Sequence, residues 1–172
     1  MSLINRLFRT RPDPREELRP LWHRSVEISR EPRWYAQYGV ADTVAGRFDM
    51  ITAILALVLL RLEQEGESIA DTTLLTELFV EDMDGQLRES GVGDVVVGKR
   101  MGRLMSVLGG RIGAYRTALA QADDALLEEA IARNVTLNDG AKPSGLAAAL
   151  RQFRTDLAAL DLAAVRGGRI GG

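Results

Sequence analysis

Residues 44–62 read VAGRFDMITAILALVLLRL. Val44, Phe48, Ile51, Leu55, Val58 and Leu62 recur at alternating steps of four and three, which lays one apolar stripe along about five helical turns. Asp42 or Thr43 stands ready to cap its start by accepting the first free N–H groups, and Gly66 marks its expected end. The apolar run inside it, Met50–Leu60, is eleven residues long. A hydrocarbon layer needs about 20, so the segment predicts a buried core helix.

The same period recurs on both sides. A helix is expected from Arg15 or Leu18 to Arg30, ended by Pro32. The aromatic stretch Arg33–Gly39 follows, with Gly39 suited to a left-handed helix end. Downstream, Asp71 or Thr72 caps a helix with Leu75, Leu78, Phe79 and Met83 inward. A helix from about Val97 to Leu119 carries the stripe Met101, Leu104, Met105, Leu108, Ile112, Tyr115 and Leu119. Residues 123–135 form another, and an Ala/Leu-rich helix runs from Gly145 to about Val165. No segment alternates with period two over a useful length. The sequence predicts an all-α, single-domain bundle of about six or seven helices. It divides into a basic amphipathic N-terminal segment (1–14), a helical domain (15–165) and a flexible tail (166–172).

Residues 77–115, ELFVEDMDGQLRESGVGDVVVGKRMGRLMSVLGGRIGAY, set an acidic segment against a basic one. Six acids stand between Glu77 and Asp94, with Arg88 the lone base; five bases and no acid stand between Lys99 and Arg116. That is the pattern of a charge-complementary helical hairpin. Asp82 falls on the Leu75/Phe79/Met83 stripe, where a carboxylate is costly unless paired, and Arg100, Arg103 or Arg111 of the next helix is the expected partner. Eight of the 17 glycines lie between Gly85 and Gly113. Inside a helix each costs up to about 1 kcal/mol relative to alanine, so close packing against a neighbouring helix or a bound partner is expected to offset them.

Chemistry finds little purchase. With no cysteine in the chain, disulfides, thiolate nucleophiles and iron–sulfur ligation are excluded. His23 is the only histidine, too few for a two-histidine metal site and without a triad context. Residues 93–100, GDVVVGKR, approach a phosphate loop, but Arg100 stands where the Mg²⁺-binding hydroxyl belongs and no strand precedes them. Asp82-Met83-Asp84-Gly85 fails as a calcium loop, because Val80 and Gly91 occupy the outer ligand places. No catalytic, metal-binding or cofactor-binding residue is assigned, and no cofactor is expected. The net charge of −2 argues against generic nucleic-acid binding. A regulator binding nucleic acid through the 99–116 basic helix (Arg100, Arg103, Arg111) is the alternative, opposed by the acidic region next to it.

Two blocks are familiar. Residues 38–49, YGVADTVAGRFD, and residues 81–94, EDMDGQLRESGVGD, continued by VGKRM at 97–101 and GRIGAY at 110–115, resemble the ubiquinol–cytochrome c chaperone family. The likeness spans roughly residues 20–135. It implies a non-enzymatic assembly factor for respiratory complex III that binds newly made cytochrome b or nascent complex III subunits, alongside a small partner protein. No catalytic residue is carried over. The surface expected to meet a partner is the elbow of Asp84, Arg88, Glu89, Asp94, Lys99, Arg100 and Arg103. A cytoplasmic location, peripheral on the inner membrane, is expected. Residues 3–11, with Leu3, Ile4, Leu7 and Phe8 flanked by Arg6, Arg9 and Arg11, suit an anionic membrane surface.

Overall fold

The computed structural model describes residues 13–64, 69–89 and 94–171. The N-terminal segment to residue 12, the Gly91–Gly93 turn and the helix end expected at Gly66 lie outside them. After a 3₁₀ turn at Pro14–Leu18 come α1 (Arg19–Ser29), α2 (Pro32–Ala36), α3 (Val44–Glu63), α4 (Ile69–Glu89), α5 (Asp94–Leu119), α6 (Ala125–Asn134), α7 (Pro143–Ala158) and α8 (Leu162–Arg166). Among the described residues there is no strand; a single antiparallel bridge joins Val40 to Leu137. The all-α expectation holds, with six helices of ten residues or more among the described residues.

The central helix is α3, packed against α1, α4, α5 and α7. Every residue from Asp49 to Leu59 is buried, because neighbours surround the helix on all sides and an all-round apolar helix can only be stable inside a core. Only its first turn departs from the expected stripe: Val44 is 88% exposed and Phe48 is half-buried. Thr43 caps the helix, its hydroxyl accepting from Gly46 N at 3.1 Å.

The aromatic stretch after α1 closes that helix. Trp34 is fully buried and its Nε1 donates to Ile28 O at 2.5 Å, while the Tyr35 hydroxyl donates to Ser29 O at 2.8 Å. The two aromatic side chains thereby add donors to carbonyls at the end of α1, where Ile28 O also accepts from Glu31 N at 3.1 Å.

Three expectations are corrected. The last helix is two: α7 ends at Ala158 and α8 begins at Leu162, capped by Asp161, which accepts from Ala164 N at 2.6 Å. Buried Arg61 of α3 enforces the break, donating to Leu157 O at 3.1 Å and Leu160 O at 2.8 Å. The supposed tail lies on α1. Ile170 is buried, and Arg24 donates to Ile170 O at 3.0 Å and Gly171 O at 2.5 Å. Gly168, at φ +73°, brings backbone so close to Pro20 that a Cβ would stand 2.7 Å from Pro20 O. Finally, the α5 glycines are not packed: a Cβ at Gly98, Gly102, Gly109, Gly110 or Gly113 would meet nothing within 4 Å.

Candidate binding groove

An open groove of about 740 Å³ lies where the start of α3, the end of α4 and the middle of α5 converge. Val44, Phe48 and Ile51 form one wall, Met83 and Leu87 the second, and Leu104 the third. Arg30, just past α1, and Arg47 stand at its edge. Arg47 is held outward by Asp42, Nε to Oδ1 at 2.6 Å. That hydrogen bond, reinforced by the guanidinium charge, keeps the Asp42 carboxyl below its ordinary range. The lining is largely aliphatic with cations at one edge, which suits an apolar segment better than a polar substrate.

The sequence makes this groove by an unusually close approach at Gly46. A Cβ there would fall 2.0 Å from Ala41 O, so only glycine lets the 40–43 segment fold tightly against the first turn of α3. Beside that contact, Val44 is exposed and half-buried Phe48 lines the groove.

Beneath Phe48 lies a buried polar centre. The Arg111 guanidinium sits 5.8 Å from the Phe48 ring centroid, and its Nη2 donates to Asp49 Oδ1 at 2.5 Å. Arg111 also donates to the Thr52 hydroxyl. The other Asp49 oxygen accepts from Thr136 N at 2.8 Å and Thr136 Oγ1 at 2.7 Å. One carboxylate thus ties α3, α5 and the loop after α6 together. Tyr115, one turn along α5, is fully buried, and its hydroxyl has no hydrogen-bond partner among the described residues. Burial pushes that hydroxyl's pKa from 10.0 up to about 12.

The expected Asp82 pair is therefore corrected. Arg111 is the buried arginine of α5, but its partner is Asp49. Asp82 is half-buried and lines a polar groove with Arg19, His23 and Arg30, on the α1 side of α4 rather than the α5 side. No ion pair among the described residues joins it to Arg100 or Arg103, both of which are exposed. Sequence reasoning missed Asp49, although it is the only charge between Arg47 and Arg61, a position at which a carboxylate demands a partner.

The elbow residues are partly described. Asp84 and Arg88 pair within α4 at 2.7 Å. Glu89, Lys99, Arg100 and Arg103 are exposed, and the Asp94 side chain lies outside the described set. Met101 and Met105 do not line the apolar groove; Met83 and Leu104 do. Among the described residues no cluster of His, Cys, Asp or Glu is arranged to hold a metal.

Both sequence blocks meet in this groove: 38–49 supplies Val44 and Phe48, and 81–94 supplies Met83 and Leu87. The family model for ubiquinol–cytochrome c chaperones matches residues 36–170. The chain belongs to the ubiquinol–cytochrome c chaperone family. The crystal structure of the Cbp3 homolog from Brucella abortus is similar throughout, at 33% identity and a TM-score of 0.78, over 98% of this chain and 95% of that one. Comparison with curated proteins gives no match. For a ubiquinol–cytochrome c chaperone, the nucleic-acid alternative is left without support. No described helix is long and apolar enough to cross a membrane.

Proposed function

We propose that this protein is a non-enzymatic assembly chaperone of complex III that binds cytochrome b and holds one of its apolar segments in the Val44/Phe48/Leu104 groove. The observation that carries the reading is the convergence of both family blocks on that one aliphatic surface. Fully seating an apolar side chain is worth about 1.5–3 kcal/mol. Two or three such anchors, less the cost of ordering, give a hold weak enough to release a client to its complex. The exposed elbow charges Glu89, Lys99, Arg100 and Arg103 would set register and selectivity, on the cytoplasmic face of the inner membrane, and a small partner protein would share the work.

Deleting the gene tests the assignment. Assembled complex III and cytochrome b protein should fall while the cytochrome b transcript stays level; normal complex III would end the reading. Val44→Asp tests the groove, because Val44 is 88% exposed and its loss leaves the core intact. The variant should keep the wild-type melting temperature and lose co-purifying cytochrome b. Glu89→Lys and Arg103→Glu should do the same if the elbow contributes, whereas lost stability would assign those residues to the hairpin alone.

A further inference from the structure

A second groove, of about 700 Å³, is walled by α4 and α5 beside the end of α3. Its apolar surface comes from Leu59, Val80, Met105 and Ile112, and Met105 is 37% exposed. Around that surface stand four carboxylates, Glu63, Glu77, Glu81 and Asp84, and one guanidinium, Arg15. The hydrogen-bonding character of this rim is one-sided. Thr72 and Thr73 donate their hydroxyls to Ile69 O, and Thr76 donates to Thr72 O. Arg15 is taken up by Asp13, Nη2 to Oδ2 at 2.6 Å, and reaches Glu81 at 3.5 Å. The rim's side-chain donors are thus engaged within the chain, while acceptor capacity is left over. Glu63 and Asp84 are paired with Arg116 and Arg88, at 2.6 and 2.7 Å. Glu81 has only the longer contacts to Arg15 and Arg19, at 3.5 and 3.6 Å, and Glu77 joins no ion pair among the described residues. Both Glu77 and Glu81 are exposed, one turn apart on α4.

We propose that this groove docks an amphipathic helix of another protein, about three turns long, with lysine or arginine beside its apolar face. The apolar floor calls for the first feature, and the charge left at Glu77 and Glu81 calls for the second. An anionic occupant, whether nucleic acid, acidic peptide or phospholipid surface, meets carboxylates where it needs donors. The length follows from the wall: the stretch of α4 from Thr73 to Asp84 spans about 16 Å. Clearance comes from α5. Gly102, Gly109 and Gly113 share a face of that helix with Met105, at steps of three and four residues, and a Cβ at any of the three would meet nothing within 4 Å. A docked helix can therefore come close to the α5 backbone.

Each groove holds one methionine, Met83 in the apolar groove at the start of α3 and Met105 here. Methyl-labelled methionine NMR of the full chain therefore reports which groove is occupied. The probe is a short synthetic peptide of leucine and lysine set at helical period. Its controls are a scrambled peptide of equal composition and a leucine–glutamate version. At low salt the probe should shift the Met105 methyl and leave Met83 in place, and neither control should do so. Glu77→Lys should weaken binding about tenfold. Gly109→Leu, which fills the open face without removing charge, should weaken it too, and neither variant should lower the melting temperature. Asp139→Lys, an exposed reversal outside both grooves, should leave the affinity unchanged. A probe that shifts only Met83, a scrambled peptide that binds equally well, or equal weakening by Asp139→Lys would overturn the proposal. So would a Met105 shift produced by protein concentration alone, which would seat a second copy there, or by phosphatidylglycerol vesicles in place of the probe. No Met105 response to the probe in the full chain would equally end it. Cytochrome b plays no part in the measurement, so this site and the client groove stand or fall separately.

Discussion

Asp49 joins three parts of this structure. It is buried, it accepts from Arg111 on one oxygen and from Thr136 twice on the other, and those partners lie 62 and 87 residues away. Removing one side of a buried pair leaves the other charge uncompensated, at a cost of about 3–5 kcal/mol. Asp49→Ala should lower the urea midpoint accordingly, and Asp49→Leu combined with Arg111→Met should recover part of the loss. Tyr115 predicts the reverse. An unpaired buried hydroxyl costs about 1–3 kcal/mol, so Tyr115→Phe, which keeps the ring, should match or exceed wild-type stability at neutral pH. The folded state holds the tyrosine proton up to about pH 12, whereas the unfolded chain releases it near 10.0. The corresponding stability is complete below pH 10.0 and is lost as pH rises toward about 12. Denaturation profiles across that window should be flatter for Tyr115→Phe. Neither role was legible in the sequence. Periodicity places Asp49 and Arg111 on helices, but pairing across 62 residues depends on how two helices are rotated, and Asp82 draws the expectation because it falls on the Leu75/Phe79/Met83 stripe.

At the scale of elements the sequence was more informative. Central helix α3 and glycine-rich α5 both follow from a 3.6-residue apolar period, and Thr43 and Gly39 behave as their types require, Gly39 at φ +72°. The break between α7 and α8 was not visible, because Ala159 and Leu160 are compatible with helix. The interruption is imposed by Arg61, whose donors reach carbonyls some 96 and 99 residues downstream. The α5 glycines gave the least expected result: the space beside them is open. Gly110→Ala should therefore stabilise the isolated protein, by up to about 1 kcal/mol. In a domain of this size that raises the melting temperature by about 2–4 °C. An unchanged or lower melting temperature would mean that α5 needs the glycine for its own conformation.

The whole molecule is built outward from α3, and two of its open grooves are lined by that helix. The apolar groove lies at its start, and one with an acidic rim near its end at Leu59 and Glu63. Closure of the bundle falls to the chain's last described residues. Ile170 fills a site beside α1, and Arg24 holds the backbone there. Ile170→Ala should cost about 2 kcal/mol, seen as a lower unfolding midpoint and as faster hydrogen exchange in α1. A tail that were free, as the composition RGGRIGG suggests, would show neither effect. Glycine density is an ambiguous signal because the same residue serves a loose end and a close backbone approach, and Gly168 against Pro20 is the second.

The contrast between Gly46 and the glycines of α5 has a consequence for descent. At position 46 any side chain collides with Ala41 O, so a lineage that keeps the fold cannot leave glycine there, whatever its client. At 98, 102, 109, 110 and 113 the fold imposes no such bar, and alanine would be gained repeatedly under selection for stability alone. Glycine that persists at those five places across divergent descendants would record a contact with a molecule outside the chain.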